Sequence, residues 1–480
     1  IGKNTKAIVC THASNVTGDG NDIAQIGTLC EKYNLYFILD ASQTAGTIEI
    51  DMEQNHISAI CFTGHKGLFG PQGTGGIALA DGVCVKPLLS GGSGVHSFER
   101  KHPMELPAAL EAGTLNGHGI AGLHAALDWI KKTGIAAIHE KEMALAEQFQ
   151  RGIETIPGIH LYGGEKRVAA IVSCNLADLD SAYVSDCLAE DYGIATRAGA
   201  HCAPLMHTHF GTEKQGMVRF SFSCFNTTEE VEKAVRAMQD IAAENRGKVT
   251  AYVGAGGKTS SIRKRAETLR AEGKRVLILT TTKMMVPQEQ EIFAAYEQTG
   301  QESVISATAS VWQERRAAEK QLKERVQSVL DTYGCCVAGS LIPGTEKFGM
   351  LPEKLMEDLL YLADEILIEA DGSAHMPVKA PAEHEPVLFP YMDEVVIVMG
   401  AHAIGKPLQK VCHRVDYAKK ILKCDADKIV TAADIRALAE QGYAIPIQKQ
   451  FPWMKISKVT GKDIKLCLTA EKKDKVRDKQ

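Results

Sequence analysis

Short apolar runs alternate with amphipathic stretches through the first half of the chain. The runs read KAIVC, YFILD, AICFTG, GGIALA, AAIVSC and MVRFSF, and helical spacing of apolar positions appears in DIAQIGTLCEKYN, GIAGLHAALDWIKK and IHEKEMALAEQFQRGIETI. Such alternation is typical of an α/β fold with a largely parallel sheet. The last helix of this half opens with a predicted capping box between Thr227 and Glu230.

The same kind of pattern restarts after Arg246–Gly247. KVTAYV predicts a strand, GAGGKTS a loop, SIRKRAETLRAEG a helix and KRVLILTTTK the next strand, and CCVAGS, DEILIEADGS and EVVIVMG predict three more. We therefore expect one domain over residues 1–246 and a second α/β domain over 247–447. From about Gln448 the periodicity fades, and the pattern predicts a solvated tail over 448–480.

Length, charge and composition exclude several classes of protein. A chain of 480 residues is long for a single core, which agrees with two domains. The net charge of −5 gives no reason to expect nucleic acid or an anionic membrane as a partner. No apolar run approaches the ~18 residues of a membrane span, and no signal peptide is recognisable. The 13 cysteines are scattered, so we expect mostly free thiols in a reducing cytoplasm.

Two chemically important side chains follow neighbouring predicted strands. Asp40 ends YFILD, and Lys66 follows AICFTG. Both would emerge at the carboxyl edge of a parallel sheet, where α/β folds bind their ligands. A lysine and a carboxylate at that edge suit pyridoxal phosphate, which needs a covalent anchor and a partner for its pyridine nitrogen. A simple ion pair is the alternative.

Five ordered motifs resemble the class V aminotransferase family, whose fold is the pyridoxal-phosphate-dependent fold type I. They are SNV at 14–16, LDASQTAG at 39–46, FTGHKGLFGPQGTGG at 62–76, EAGTLN at 111–116 and RAGAHCAPLMH at 197–207. Within the family they look most like cysteine desulfurases and selenocysteine lyases. The resemblance covers roughly residues 1–245.

The resemblance implies a role for each matching residue. Lys66 would be the Schiff-base lysine, Cys202 the thiol that accepts sulfur or selenium as a persulfide, and Arg219 the clamp for the substrate carboxylate. The remaining cofactor contacts would be Asn15, which also lies beside the substrate, Asp40, Gln43, Thr63, His65 and, at the phosphate site of the other subunit of a homodimer, Thr114.

Cys202 also has local features that bear on its reactivity. Arg197 and His201 flank it, and nearby cations can lower a thiol pKa and raise the thiolate fraction. An inert, partly buried thiol is the alternative for any single cysteine. A metal site that also uses His201, His207 and His209 is a further one.

The family carries ahead of SNV a segment with phosphate-binding hydroxyl residues and a side chain that stacks on the ring. The chain given begins at Ile1, close to a predicted core strand. We therefore expect part of the sheet and of the cofactor cradle to be absent from it. A catalytically inactive remnant is thus one open possibility.

A glycine loop between a strand and a helix stands at the start of the second half. This is the context of a phosphate-binding loop, but only Ala255 and Gly256 separate Gly254 from Gly257, fewer than in the usual loop. Lys258 could reach phosphate and Thr259 could offer its hydroxyl to Mg²⁺. A plain glycine turn is the alternative.

Carboxylates follow a later strand of the same half. Glu369 and Asp371 end ILIEADGS, where metal-binding side chains would lie at the carboxyl edge of the sheet. We predict Asp371, with Thr259, as the Mg²⁺ ligand. A turn at Asp371–Gly372 is the structural alternative.

The second half resembles the YqeC-type family of selenium-dependent hydroxylase accessory proteins. The resemblance rests on GAGGKT, TTTKM, EADGSAHMPVKAPAEHEPV and GAHAIGKPL followed by HRVD, and covers about 248–435. It implies a P-loop-like domain that binds ATP or GTP with Mg²⁺ and takes part in maturing selenium-dependent molybdenum hydroxylases.

Together the halves predict an enzyme that takes sulfur or selenium from cysteine or selenocysteine and passes it to an acceptor protein or a molybdenum hydroxylase. Two alternatives stay open. One is another class V reaction, transamination or elimination, in which Cys202 takes no part. The other is an inactive pyridoxal phosphate remnant on a nucleotide-dependent accessory protein.

Overall fold

The computed structural model describes residues 1–96, 98–297 and 309–460, with side chains left out at 309–313 and 460. The chain divides into two compact units, Ile1–Ile241 and a second unit that begins at Ala242. Within the described residues, no helix has the length and apolar character needed to cross a membrane.

Among its described residues, the first unit contains seven strands and six α-helices. The strands are β1 (Ala7–Thr11), β2 (Tyr36–Asp40), β3 (Ala59–Thr63), β4 (Gly75–Leu79), β5 (Ile159–Tyr162), β6 (Ile171–Leu176) and β7 (Val218–Ser221). The helices are α1 (Ile23–Tyr33), α2 (Gly117–Thr133), α3 (Ile135–Ile153), α4 (Ser181–Tyr192), α5 (Pro204–Phe210) and α6 (Thr228–Asn245), which continues past the unit boundary.

Sequence signals explain several helix ends. The Asp22 carboxylate caps α1 by accepting the Gln25 N–H at 2.9 Å. The predicted capping box at α6 is confirmed, because the Glu230 N–H donates to Thr227 Oγ1 at 3.2 Å and the Thr227 N–H donates to Glu230 Oε2 at 3.1 Å. Gly193 ends α4 in the left-handed conformation that glycine adopts without strain.

The first sheet brings three strand ends to one edge. β1, β2 and β3 are parallel, with Asp40 opposite Thr11 on one side and Cys61 on the other, and β4 pairs antiparallel with β3. Parallel strands joined by a helix or crossover all point the same way, so the residues that follow them gather at one edge. Asp40 and Lys66 therefore lie on the same edge of this sheet.

A second sheet of the first unit departs from the expectation of a largely parallel sheet. β5, β6 and β7 form a separate antiparallel sheet. Every residue of β6 is buried, and Phe149 of α3 packs its ring 4.3 Å from that of Phe220, measured between centroids. The apolar pattern indicates that a strand is buried, but burial alone does not show whether the strand runs parallel or antiparallel to its neighbours.

The described part of the second unit is built on a nine-stranded sheet. Its strands are β8 (Lys248–Gly254), β9 (Val276–Thr280), β10 (Lys283–Met285), β11 (Phe293–Tyr296), β12 (Cys335–Leu341), β13 (Lys347–Gly349), β14 (Glu365–Glu369), β16 (Glu394–Met399) and β18 (Lys455–Thr460). The short strands β15 (Val378–Lys379) and β17 (Cys412–His413) pair with each other.

The order along the sheet is β10-β13-β12-β9-β14-β8-β16-β18, with β11 on β12. Antiparallel pairing is confined to β13 with its two neighbours; the other pairs are parallel. The helices are α7 (Lys258–Ala271), α8 (Ala309–Tyr333), α9 (Glu353–Leu359), α10 (Leu408–Val411), α11 (Val415–Leu422), α12 (Ala432–Ala437) and α13 (Ile445–Gln450). A π-helical stretch, Leu438–Ala444, joins α12 to α13.

The tail predicted from Gln448 is partly regular structure instead. Lys455–Thr460 forms β18, which pairs along its whole length with β16, and Phe451 and Met454 before it are buried. A strand at the edge of a sheet gains its stability from its neighbour, which local periodicity does not reveal. The rest of the predicted tail, 461–480, lies outside the described residues.

Candidate active site

A cavity of about 420 Å³ lies in the first unit. Five residues predicted from the sequence line it: Asn15, Gln43, Lys66, Cys202 and Arg219. They come from places as far apart in the chain as the loop after β1 and the strand β7. The fold therefore brings together a lysine, a thiol and an arginine, the three groups to which the sequence patterns attach chemistry.

Lys66 lies in the turn after β3. Partial burial lowers the pKa of its ammonium; the Asp40 carboxylate raises that pKa, whereas Arg219 and Arg197 lower it further. The net effect is a lysine that loses its proton more easily than one in water. A lysine of this kind can act as a nucleophile or as a base.

Two arginines stand side by side on the wall of the cavity. The backbones of Arg197 and Arg219 pair through mutual N–H···O hydrogen bonds of 3.2 and 2.9 Å. Arg219 Nη1 donates to the Asn15 carbonyl at 2.9 Å, while its Nε is buried and has no partner among the described residues. Burial and Arg197 lower the pKa of Arg219. Arg219 Nε can therefore donate a hydrogen bond to an anionic group in the cavity.

Cys202 is an exposed thiol on the same wall. Arg197 Nη2 donates to its sulfur at 3.4 Å. Its backbone adopts φ = 57°, in the left-handed region that non-glycine residues seldom occupy. Strained backbone of this kind is frequent at functional sites.

Four predicted contacts do not line the cavity. Asp40 lies at the end of β2, where it accepts the Ser42 N–H at 2.9 Å and acts on Lys66 through its charge. The Thr63 hydroxyl is buried and has no partner in the described part of the chain. His65 precedes Lys66 in the turn and Thr114 precedes α2, and both are exposed.

The sequence patterns missed Glu142, which also lines the cavity. It lies on α3, is 7% exposed and accepts the Cys224 N–H at 3.0 Å. Burial raises its pKa to about 7, against the opposing effect of that hydrogen bond. A signal was present, because Glu142 lies four residues after the buried Ile138 and three before Leu145, on the apolar face of α3.

The alternative metal site around Cys202 has no support in the geometry. Within the described ranges, no group of three or more histidine, cysteine, aspartate or glutamate side chains is arranged to hold a metal ion. His201 Nε2 bonds to the Arg197 carbonyl at 2.9 Å, and His207 Nδ1 bonds to Thr212 Oγ1 at 2.8 Å.

The second unit places its glycine loop between β8 and α7, as predicted. Gly254, Gly256 and Gly257 have φ values of 91°, 79° and 129°. A Cβ on Gly254 would lie 2.2 Å from the Val398 carbonyl oxygen, and one on Gly256 would lie 2.3 Å from that of Pro377. Both positions therefore require glycine, for conformation and for space.

The two residues after the loop face acidic groups. Lys258 is 4% exposed, and its Nζ donates to the Gly254 carbonyl at 2.8 Å. Burial lowers its pKa, while Glu369 and Asp371 raise it. Thr259 Oγ1 donates to Glu369 Oε2 at 2.9 Å, and burial raises the pKa of Glu369.

Asp371, the predicted Mg²⁺ ligand, is engaged by groups of the protein itself. It is fully buried, its Oδ2 accepts from the Tyr443 hydroxyl at 2.7 Å and the Gly254 N–H at 3.2 Å, and its Oδ1 accepts from Lys379 Nζ. Both oxygens are thus engaged by groups of the protein. Asp371 fixes the start of the glycine loop, and the carboxylate beside Thr259 is Glu369.

In the comparison with known proteins, the two halves of the chain match different protein families. Residues 1–234 match the family model for class V aminotransferases, and residues 250–416 match that for the YqeC protein. The chain thus has one region that is similar to class V aminotransferases and a second that is similar to the YqeC protein.

Relatives of the first region carry more specific names. A probable cysteine desulfurase of Methanothermobacter thermautotrophicus is 33% identical over 247 residues, which are 50% of this chain and 62% of the relative. A cysteine desulfurase of Escherichia coli is 31% identical over 242 residues, 49% of this chain and 58% of that protein. The solved structure of a cysteine desulfurase from Thermococcus onnurineus shares 30% identity, with a TM-score of 0.47, over 50% of this chain and 61% of that one. The chain spans about six tenths of the length of these relatives.

Proposed function

We propose that the first unit, with the fold type I of class V enzymes, takes sulfur or selenium from cysteine or selenocysteine with the help of pyridoxal phosphate. The observation that carries the proposal is the meeting of Lys66, Cys202 and Arg219 in one cavity. The names of the relatives support cysteine as the substrate.

The residues present fit the cofactor. Lys66 has a lowered pKa, as a lysine needs if it is to attach to an aldehyde carbon. The Thr63 hydroxyl and Arg219 Nε are buried, polar and without partners in the described part of the chain. Such groups are ready for a polar ligand, since a buried polar atom without a partner is costly. Lys66, Asn15 and Gln43 would hold the cofactor from the cavity wall, with Asp40 supplying negative charge at the sheet edge.

When bound, pyridoxal phosphate supplies an electron sink that acidifies the α-carbon of the amino acid. Arg219 holds the substrate carboxylate. Lys66 Nζ takes and returns a proton at the α-carbon. The Cys202 thiolate, beside the Arg197 guanidinium, forms a bond to the substrate sulfur as the bond between that sulfur and the β-carbon breaks. The bonding electrons stay on the β-carbon, which takes up a proton so that alanine leaves, and Cys202 keeps the sulfur as a persulfide.

The first experiment is the visible absorbance of the chain with added pyridoxal phosphate. We expect a band that is lost in Lys66→Ala and kept in Lys131→Ala, an exposed lysine on α2. Incubation with cysteine should then add one sulfur atom to Cys202 by peptide mass, and Cys202→Ala should abolish turnover. A band without sulfur on Cys202, and turnover unchanged in Cys202→Ala, would favour transamination or elimination. The absence of any band would favour a remnant without cofactor chemistry.

A homodimer is part of the same proposal. The segment between β4 and α2 exposes large apolar side chains, among them Leu88, Leu89 and Phe98, and it carries Thr114. Exposed apolar clusters mark interaction surfaces. Sedimentation should report a dimer, and Leu88→Asp with Leu89→Asp should shift it toward monomer; a wild-type chain that sediments as a monomer would refute this part.

For the second unit we infer a P-loop-like nucleotide site in an accessory domain that serves maturation of selenium-dependent molybdenum hydroxylases. The support is the glycine loop before α7, with Lys258 and Thr259 at the start of the helix. ATP or GTP, with Mg²⁺, should bind the wild-type chain and Lys264→Met, an exposed lysine on the same helix, but not Lys258→Met. Equal binding of the nucleotide by Lys258→Met and Lys264→Met would favour the alternative that the loop is a plain glycine turn.

A further inference from the structure

The loop that carries Cys202 has an unusual backbone. His201 and Cys202 follow one another in the left-handed region, with φ of 53° and 57°. Each such non-glycine residue is unfavourable and persists only where its surroundings impose it. Contacts elsewhere must therefore hold this loop in place.

The buried side chain of His201 supplies one of those contacts. It is 2% exposed, and its Nε2 lies 2.9 Å from the Arg197 carbonyl oxygen. A carbonyl oxygen only accepts, so Nε2 carries the hydrogen, and Nδ1 is a buried atom with no partner among the described residues. The ring stacks on His207 with centroids 5.7 Å apart, and the His201 carbonyl accepts from Asn15 Nδ2 at 2.6 Å.

Burial, and then the neighbouring positive charges, favour the neutral form of this ring. Burial lowers the pKa of His201, and Arg219, His207 and Arg197 lower it further, against the hydrogen bond to the Arg197 carbonyl. In the neutral ring, this hydrogen bond requires the single hydrogen to be on Nε2, so Nδ1 is left as an acceptor.

The hydrogen bond from the His201 ring fixes the position of Arg197. Its backbone is held from one side by Arg219 and from the other by the His201 ring, and its guanidinium donates to Cys202 Sγ at 3.4 Å. We propose that His201 is a positioning residue that keeps the Arg197 guanidinium on the Cys202 sulfur and so sets the reactivity of that thiol. The inference rests on the proposed role of Cys202 but not on its turnover.

Alkylation tests the inference without cofactor or substrate. Iodoacetamide forms a carbon–sulfur bond with the thiolate and releases iodide, so its rate follows the thiolate fraction. The rate at Cys202 is measured by peptide mass across neutral and mildly alkaline pH, with the exposed Cys84 as internal reference. His201→Leu removes the donor and keeps the bulk, while His201→Gln keeps a donor at the same reach.

We expect His201→Leu to slow alkylation of Cys202 about tenfold at neutral pH, because the Arg197 guanidinium no longer stabilises the reacting sulfur, and to leave Cys84 unchanged. His201→Gln should retain most of the wild-type rate. A wild-type rate and pH profile in His201→Leu would overturn the inference, and so would an equal loss in both variants.

If His201→Leu does not fold, the variant Arg197→Met tests the inference in its place. This variant should slow Cys202 alkylation to the degree expected of His201→Leu, because the guanidinium is the group through which His201 acts on the sulfur. An unchanged rate in Arg197→Met would refute the inference. If turnover is absent while these rates behave as expected, the proposed function fails and the positioning role stands.

Discussion

Lys379 gives the sharpest test of how the second unit holds its glycine loop. It is 0% exposed, and its ammonium donates to Asp371 Oδ1, to the Gly372 carbonyl at 2.5 Å and to Glu385 Oε2 at 2.8 Å. These three acceptors use all of its hydrogens. Replacing it with methionine keeps the volume roughly constant and leaves the fully buried Asp371 carboxylate without its counter-charge.

The loss of stability in Lys379→Met depends on which hydrogen-bond partners the two carboxylates keep. Asp371 keeps the Tyr443 hydroxyl and the Gly254 N–H, and Glu385 keeps Arg414 at 2.8 Å. Removing one member of a buried ion pair costs about 3–5 kcal/mol, because the other charge stays buried. For a unit of this size that corresponds to a fall in Tm of roughly 6–20 °C.

The assay has to report on the second unit alone, since a chain of two units need not unfold in one step. Hydrogen exchange of peptides from β8 and β14 does so. Lys410→Met, an exposed lysine on α10, is the matched control. The double variant Lys379→Met with Asp371→Leu should be more stable than Lys379→Met alone, because it removes the unpaired charge. A loss below ~1 kcal/mol in Lys379→Met would refute the reasoning.

Two further predictions concern single positions. Glu142 has its pKa raised from about 4.5 to about 7 in the folded chain, so the folded state holds the extra proton between these values; its stabilising contribution is present below pH 4.5 and is lost as pH rises through 7. Unfolding of the first unit should therefore show a decline of up to roughly 3 kcal/mol over that window, which Glu142→Gln removes and Glu140→Gln, an exposed neighbour, keeps. Gly256→Ala should destabilise the second unit by about 1–3 kcal/mol and abolish nucleotide binding, because the new Cβ would meet the Pro377 carbonyl at 2.3 Å; unchanged hydrogen exchange around β8 would contradict this.

Local patterns predicted much of this protein. The strands β1–β4, β6 and β7, the loop-to-helix junction at Lys258 and the capping box at Thr227 all follow from apolar periodicity, glycine placement and capping residues, which act over a few neighbouring positions. The positions of Asp40 and Lys66 after neighbouring strands also predicted that they share one edge of the sheet, whereas the place of Cys202 in the site was implied by the resemblance.

Other features depend on contacts between distant positions. Tyr443 lies 72 residues from Asp371, and its hydroxyl helps to make a predicted metal ligand into a fully bonded buried charge. The position of Glu142 in a cavity, and not only on a helix, raises its pKa, and the pairing with β16 makes a strand of Lys455–Thr460. The sequence by itself determined most of the strands and helices and the motif residues that carry chemistry, since these depend on local propensity and residue type. Only the tertiary structure decided their protonation, partners and availability, because burial and hydrogen bonding arise where distant segments meet.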